Sequence, residues 1–236
     1  MQPKPLPPPA TYEQLAGLID HSLLDPALTS SQVIEGLQLA RRCQVAAVIV
    51  RPCDIEAAVR ALDGSPVKPA SVAGFPHGSQ NTATKLFEAR DLLRRGAREI
   101  DAVIAVSRLV SREFQYVETE LVQLAEACHK EGAILKAVFE NAYLTDELKI
   151  IACRAAERAG ADLASTSTGF APAGYALADI RLMRRHVPET MAVKAAMVNT
   201  LDDLLAAREA GAARIGTTAT GAILDEWKAR LEGSAR

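Results

Sequence analysis

Two hydrophobic periods alternate along this chain. Short apolar or β-branched runs recur over residues 18–22, 45–50, 70–75, 99–106, 133–140, 162–168, 191–196 and 213–217. Between them lie stretches with apolar residues at helical spacing, over 11–16, 29–43, 54–62, 82–96, 112–132, 145–160, 177–186, 201–211 and 223–231. The first set predicts strands and the second helices. The run 45–50 is almost wholly apolar, the mark of a strand buried on both faces in a parallel sheet. Thr29 predicts a capped helix start. Gly96, Gly132, Gly160 and Gly211 each stand just before a strand, where a glycine ends the preceding helix.

Eight strands alternating with helices, at a repeat of about 30 residues, match the length of a βα unit. The expected fold is α/β, a (β/α)8 TIM barrel in a single domain over residues 11–236. Residues 1–10, Met-Gln-Pro-Lys-Pro-Leu-Pro-Pro-Pro-Ala, predict a disordered, extended proline-rich tail, because proline fixes φ and removes a donor. No GxGxxG follows the first strand, so a dinucleotide-binding doubly wound sheet is not indicated.

Composition narrows the function. The 236 residues are 49% hydrophobic and 24% charged, with net charge −2. That balance gives no electrostatic footprint for nucleic acid or a membrane surface. No apolar run approaches the roughly 20 residues that span a bilayer, and no signal peptide is apparent. Cys43, Cys53, Cys128 and Cys153 are scattered without a CxxC, as in thiols of a reducing compartment. A cytoplasmic location is therefore expected.

A barrel places its active site at the C-terminal ends of the strands. The polar residues expected near there are Asp20, His21 and Ser22, then His77, Asp101, Lys136 and Glu140, then Ser165, Ser167 and Lys194. Lys136 and Lys194 lie in otherwise apolar strands, and an interior ammonium is costly unless it is paired or functional. The alternative to a functional role is an internal ion pair of Asp101 with Lys194 or Lys136 that serves packing alone.

Several phrases, in order and at barrel spacing, carry a resemblance. They are Ile-Asp-His-Ser-Leu-Leu, Gly-Phe-Pro-His-Gly, Lys-Leu-Phe-Glu-Ala and Gly-Ala-Arg-Glu-Ile-Asp-Ala-Val, followed by Leu-Lys-Ala-Val-Phe-Glu, Ser-Thr-Gly-Phe, Val-Lys-Ala-Ala and Arg-Ile-Gly-Thr. Over residues 18–224 the chain resembles the deoxyribose-phosphate aldolase family. That resemblance implies a proton-shuttling carboxylate at Asp101 and an assisting ammonium at Lys194. It implies substrate contacts from Asp20, Lys136 and Glu140, from the loop Ser167-Thr168-Gly169, and from Gly216-Thr217 at the next helix start. No metal or cofactor is implied, and a homodimer is possible by analogy with relatives.

Three departures accompany the resemblance. The strand whose usual wording carries the Schiff-base lysine has Ser165, and a hydroxyl cannot become an iminium. Ile49 stands where the family commonly has Cys. Met197-Val198 replaces a Gly-Gly whose backbone approaches phosphate, and these side chains disfavour φ > 0.

Three readings follow. The first is an enzyme acting on a small carbonyl or sugar-like molecule through Asp101 and Lys194, beside Ser165, without a covalent link. An aldol-type step, cyclisation, dehydration or isomerisation would each suit it. The second is a Schiff-base aldolase using Lys194 or Lys136, opposed by the carboxylate that favours the charged amine. The third is a non-catalytic relative that binds a sugar phosphate. A metal site is disfavoured, since His21 and His77 alone would face the mouth. Substrate identity, phosphate binding and whether a C–C bond is made or broken stay open at this level.

Overall fold

The computed structural model describes residues 6–234. Eight parallel strands close into a barrel in chain order. They are β1 (Ile19–Leu23), β2 (Ala47–Val50), β3 (Lys68–Ala73), β4 (Glu99–Val103), β5 (Ile134–Val138), β6 (Leu163–Ser165), β7 (Ala192–Ala196) and β8 (Arg214–Thr217). Helix α1 (Tyr12–Ala16) precedes β1. The outer layer is α2 (Ser30–Cys43), α3 (Ile55–Leu62), α4 (Thr82–Arg94), α5 (Val106–Val110), α6 (Phe114–Lys130), α7 (Asp146–Arg158), α8 (Leu177–His186), α9 (Leu201–Glu209) and α10 (Thr220–Ser234). The (β/α)8 barrel expected from the strand and helix periods is the architecture observed.

Local chemistry sets the element ends. Thr29 and Gln32 form a reciprocal capping box at α2, which satisfies two orphan donors of the first turn. Asn81, Thr145 and Thr200 cap α4, α7 and α9. Gly96, Gly132, Gly160 and Gly211 all adopt positive φ. At each, the next N–H returns to a carbonyl near the helix end, as Ala97 does to Leu92 and Ala212 to Ala207. This is the Schellman arrangement that a left-handed residue permits.

Strand registers determine which side chains share the barrel interior. Pairs such as Asp101 with Lys136, Val138 with Ser165, and Ser165 with Lys194 lie on one face. Outward residues of the same strands, including Ile100, Leu135, Ala164 and Val193, join the apolar layer under the helices. Inside, Ala47, Ile49, Ala70 and Val72 form a separate apolar cluster with Leu24 and Phe75 packed on it. One half of the interior is thus hydrocarbon, and the other, from β4 round to β1, carries charge.

Four strands stop earlier than the apolar pattern predicts, β3 and β5 by two residues and β4 and β6 by three. Strand β4 ends at Val103 rather than 106, and residues 106–110 are helical. Here the Ala105 N–H leaves the ladder and donates to Glu120 Oε1 at 3.2 Å. Strand β6 ends at Ser165 rather than 168, because the Thr168 N–H donates to Glu140 Oε2 instead of to a strand. Glu120 also accepts from Lys85 Nζ at 2.8 Å, with both side chains fully buried between α4 and α6.

His21 was expected near the barrel mouth, but strand alternation turns it into the helix layer, where its Nδ1 lies 2.9 Å from Thr220 Oγ1 and its Nε2 has no partner. Burial pushes its pKa down to about 4. An unfolded chain takes up this proton near pH 6.5, so stability is full above that pH and declines as pH falls toward 4. The loss is about 3 kcal/mol. Urea unfolding at pH 7 and pH 4.5 should show it, and His21→Gln should remove much of the difference.

The proline-rich tail falls partly outside the described residues. Of its described part, Pro9 is buried and the Pro7 carbonyl accepts from Arg208 Nε at 3.2 Å. Four cysteines are free, and burial pushes the thiols of Cys128 and Cys153 up to about 12. No helix among the described residues is long and apolar enough to cross a membrane.

Candidate active site

The charged half of the interior is built from five strands. Lys194 of β7 has its Nζ 2.6 Å from Asp101 Oδ2 of β4 and 3.0 Å from Asp20 Oδ2 of β1. Lys136 of β5 lies 2.9 Å from Asp20 Oδ2, 2.6 Å from Glu99 Oε2 and 3.0 Å from Asp101 Oδ1. Arg214 of β8 reaches Asp20 and, at 2.9 Å, Glu99 Oε2. These contacts close a ring of alternating sign, Arg214–Glu99–Lys136–Asp101–Lys194–Asp20, with Lys136 bonded across it to Asp20. Three carboxylates face three cations, and Lys136 and Asp20 are fully buried.

The balance of charges explains how so many ions tolerate burial. Burial alone would raise the Asp20 pKa, but Lys136, Lys194 and Arg214 together hold the carboxyl well below its ordinary range. Burial would likewise neutralise Lys136, yet Asp101, Asp20 and Glu99 hold its ammonium above the usual lysine value. Arg214 is raised for the same reason, by Asp20 and Glu99 against burial. Asp101 Oδ1 is the less engaged oxygen, since Lys136 approaches it off the hydrogen-bonding direction.

Above this ring, at the C-terminal ends of the strands, a small cavity of about 50 Å³ opens to the surface. Asp101 and Lys194 form its polar floor, Ser167, Thr168, Thr217 and Thr218 one wall, and Leu24, Ile49, Val72 and Phe75 the other. The arrangement can hold a small polar molecule with its reactive oxygen at the ammonium and a hydroxyl or acidic C–H at the carboxylate.

The residues singled out from sequence are placed unequally. Asp101, Lys194, Ser167, Thr168, Gly216 and Thr217 line the cavity. Asp20 and Lys136, expected to touch substrate, lie beneath the floor as fully buried members of the ring. The inward pleat and their ion partners keep them there. Ser165 faces inward between Val138 and Lys194, 1% exposed and with no partner for its hydroxyl. Gly169 is outside the wall and packs against Met197.

Glu140 lines a neighbouring cleft with His77, Tyr143 and Phe170. It bonds both the N–H and the hydroxyl of Thr168, and burial raises its pKa against those bonds. Glu140→Gln keeps the shape but weakens the hold on the Thr168 hydroxyl. A stability loss of about 1 kcal/mol is expected, to be read by urea denaturation.

Glu99 and Arg214 are the ring members that sequence reasoning missed. Strand four was expected to carry one interior carboxylate, yet Glu99 and Asp101 are two residues apart and share the inner face. The period of 2 within a strand is the signal that could have found Glu99.

The family model described as DeoC/LacD family aldolase matches residues 15–219. A deoxyribose-phosphate aldolase of Thermoanaerobacter pseudethanolicus is 41% identical over 90% of this chain and 96% of its own. The solved structure of the aldolase QR15 superposes with a TM-score of 0.86 at 32% identity, covering 92% of this chain and 96% of that one. The deoxyribose phosphate aldolase of Aeropyrum pernix, described as a unique tetramer, gives 0.83 at 28% identity, covering 92% of each.

Proposed function

Since the chain belongs to the DeoC/LacD family of aldolases and is an enzyme of the aldolase, lyase type, we propose that it acts on a small carbonyl or sugar-like substrate by acid–base chemistry at Asp101 and Lys194, without covalent attachment at Ser165. The observation that carries this reading is the pair itself. The Lys194 ammonium and Asp101 carboxylate meet at 2.6 Å on the floor of the cavity.

For an aldol cleavage the steps balance without an imine. The β-hydroxyl proton of the substrate passes to Asp101, and the Cα–Cβ bond breaks. The bonding pair moves to the carbonyl oxygen, whose developing charge is stabilised by the Lys194 ammonium. The enolate carbon then takes a proton back from Asp101. A dehydration or isomerisation uses the same two groups, with the proton leaving carbon first. Ser167 and Thr217 supply hydroxyls that orient the substrate, while the Thr168 hydroxyl is held by Glu140.

One observation favours a second reading, a Schiff base on Lys194: among the described residues, Lys194 is the only amine on the cavity wall. Against it, Asp101 and Asp20 hold that nitrogen within 3.0 Å, and attack on a carbonyl would require it to give up those contacts. Borohydride reduction of the wild-type protein with a carbonyl compound separates the two. Covalent adduct on Lys194 supports the second reading, and turnover with no adduct supports the first. Under the first, Asp101→Asn and Lys194→Met each lower kcat by about 10² to 10⁴, with circular dichroism unchanged. Retained turnover in both variants would overturn it.

A further inference from the structure

We propose that Met197 makes the outer end of the cavity a seat for an uncharged, partly apolar group, so that the substrate carries no phosphate there; this rests on reading the cavity as the site of the aldol-type reaction. Met197 lies on the cavity wall with φ of +68°, a conformation that costs a non-glycine residue on the order of 1 kcal/mol. Its flexible thioether side chain, 43% exposed, borders the cavity. A Cβ built on Gly169 would stand 2.6 Å from Met197 Sδ, and one on Gly174 would stand 3.1 Å from Met197 Cβ. The side chain therefore packs against the loop that follows β6 and joins it to the β7 end.

The rest of the outer cavity matches that chemistry. Phe75 lines it and meets Phe170 edge to face, with centroids 5.3 Å apart. Leu24, Ile49 and Val72 continue the apolar wall. The only cation on the described wall is Lys194, and its charge is already matched by Asp101 and Asp20. A dianion would enter beside Asp101 with no free countercharge, and an unpaired buried charge is expensive.

The feature that could serve an anion is the start of α10 beyond Thr217 and Thr218. There the Ala219 N–H is bonded to Thr217 Oγ1 at 2.9 Å and the Thr220 hydroxyl is engaged by His21, while the first-turn N–H groups of Thr220, Gly221 and Ala222 stay open to a ligand oxygen, charged or neutral, which the phosphate arm of the titration below decides. Two hydroxyls remain for a neutral hydroxyl or carbonyl, opposite a hydrocarbon wall. A short-chain β-hydroxy aldehyde or ketone with an alkyl end has that pattern of polarity.

The test is a calorimetric titration of the full chain with hexane-1,3-diol and with glycerol 3-phosphate, each on wild type and on Met197→Gly. Glycine tolerates the positive φ, so the variant is expected to fold. Wild type should bind the diol at least about ten-fold more tightly than the phosphate ester, a difference of about 1.4 kcal/mol. Met197→Gly should reduce or reverse that preference by about ten-fold or more. Equal or tighter binding of glycerol 3-phosphate by wild type, no binding of the diol, or a ratio unmoved by Met197→Gly would each overturn the proposal. Because the titration needs no turnover, its failure is separate from failure of the acid–base reading, which the Asp101 and Lys194 variants test.

Discussion

Ser165→Lys should give a protein that borohydride and acetaldehyde label at the introduced amine, rapidly and near stoichiometrically, where wild type is not labelled at that position. The reason is charge balance. Position 165 faces inward beside Lys194, 1% exposed, and the ring beneath already pairs three cations with three carboxylates. A fourth ammonium there has no carboxylate left, is close to Lys194, and is removed from water. Desolvation and the like charge both lower its pKa, so the amine is neutral and nucleophilic near pH 7. A lowering of about 3 units from the ordinary lysine value would raise the reactive fraction about 10³-fold over a surface lysine. Peptide mapping after reduction identifies the site. A folded Ser165→Lys protein that labels no faster there than on its surface lysines would mean that the cavity holds surplus negative charge.

Lys136→Met should be the most destabilising single change in the interior. Lys136 touches all three ring carboxylates, within 3.0 Å of each. Its loss leaves Asp20, Glu99 and Asp101 with only Lys194 and Arg214, a net buried charge of −1. Breaking a buried pair by removing one partner costs about 3–5 kcal/mol, or roughly 10 °C in Tm for a chain of this size. The pH dependence adds a signature. The surplus carboxylate of the variant relieves its strain by binding a proton, so its folded-state pKa is raised. The deficit against wild type should then be largest at pH 8 and shrink toward pH 5. A double variant, Lys136→Met with Glu99→Gln, restores the balance at two charges of each sign and should recover a substantial part of the stability. A Tm change of only a few degrees in the single variant, flat across pH, would show that the ring is not balanced as its distances imply.

The two experiments address the same property from opposite sides, since one adds a cation to a neutral cluster and the other removes one. This links the fold to the chemistry. The ring beneath the floor restrains Asp101 and Lys194, so their groups meet substrate preoriented, with no reorganisation at the moment of reaction.

Much of the molecule was readable from residue order. The strand and helix periods predicted eight βα units, the glycines predicted the helix ends, and two lysines inside apolar strands drew attention to the interior. The Asp101–Lys194 meeting was expected and is observed. Met197 is a partial exception. Its side chain was expected to disfavour positive φ, yet the chain keeps that conformation there, because contacts across Gly169 and Gly174 hold it.

The sequence by itself determined the kind of barrel and which strands carry unusual charge, because hydrophobic period and capping act within a few residues of one another. Only the tertiary structure decided which charges meet. Asp20 and Arg214 are 194 residues apart, and Lys136 and Asp20 are 116 apart. Closure of β8 onto β1 brings the first pair together, and the inward pleat of five strands brings the rest. Whether a polar side chain lines a cavity or lies locked beneath it depends on its height along the barrel axis. That height is set by strand register, which no local signal in the chain reports.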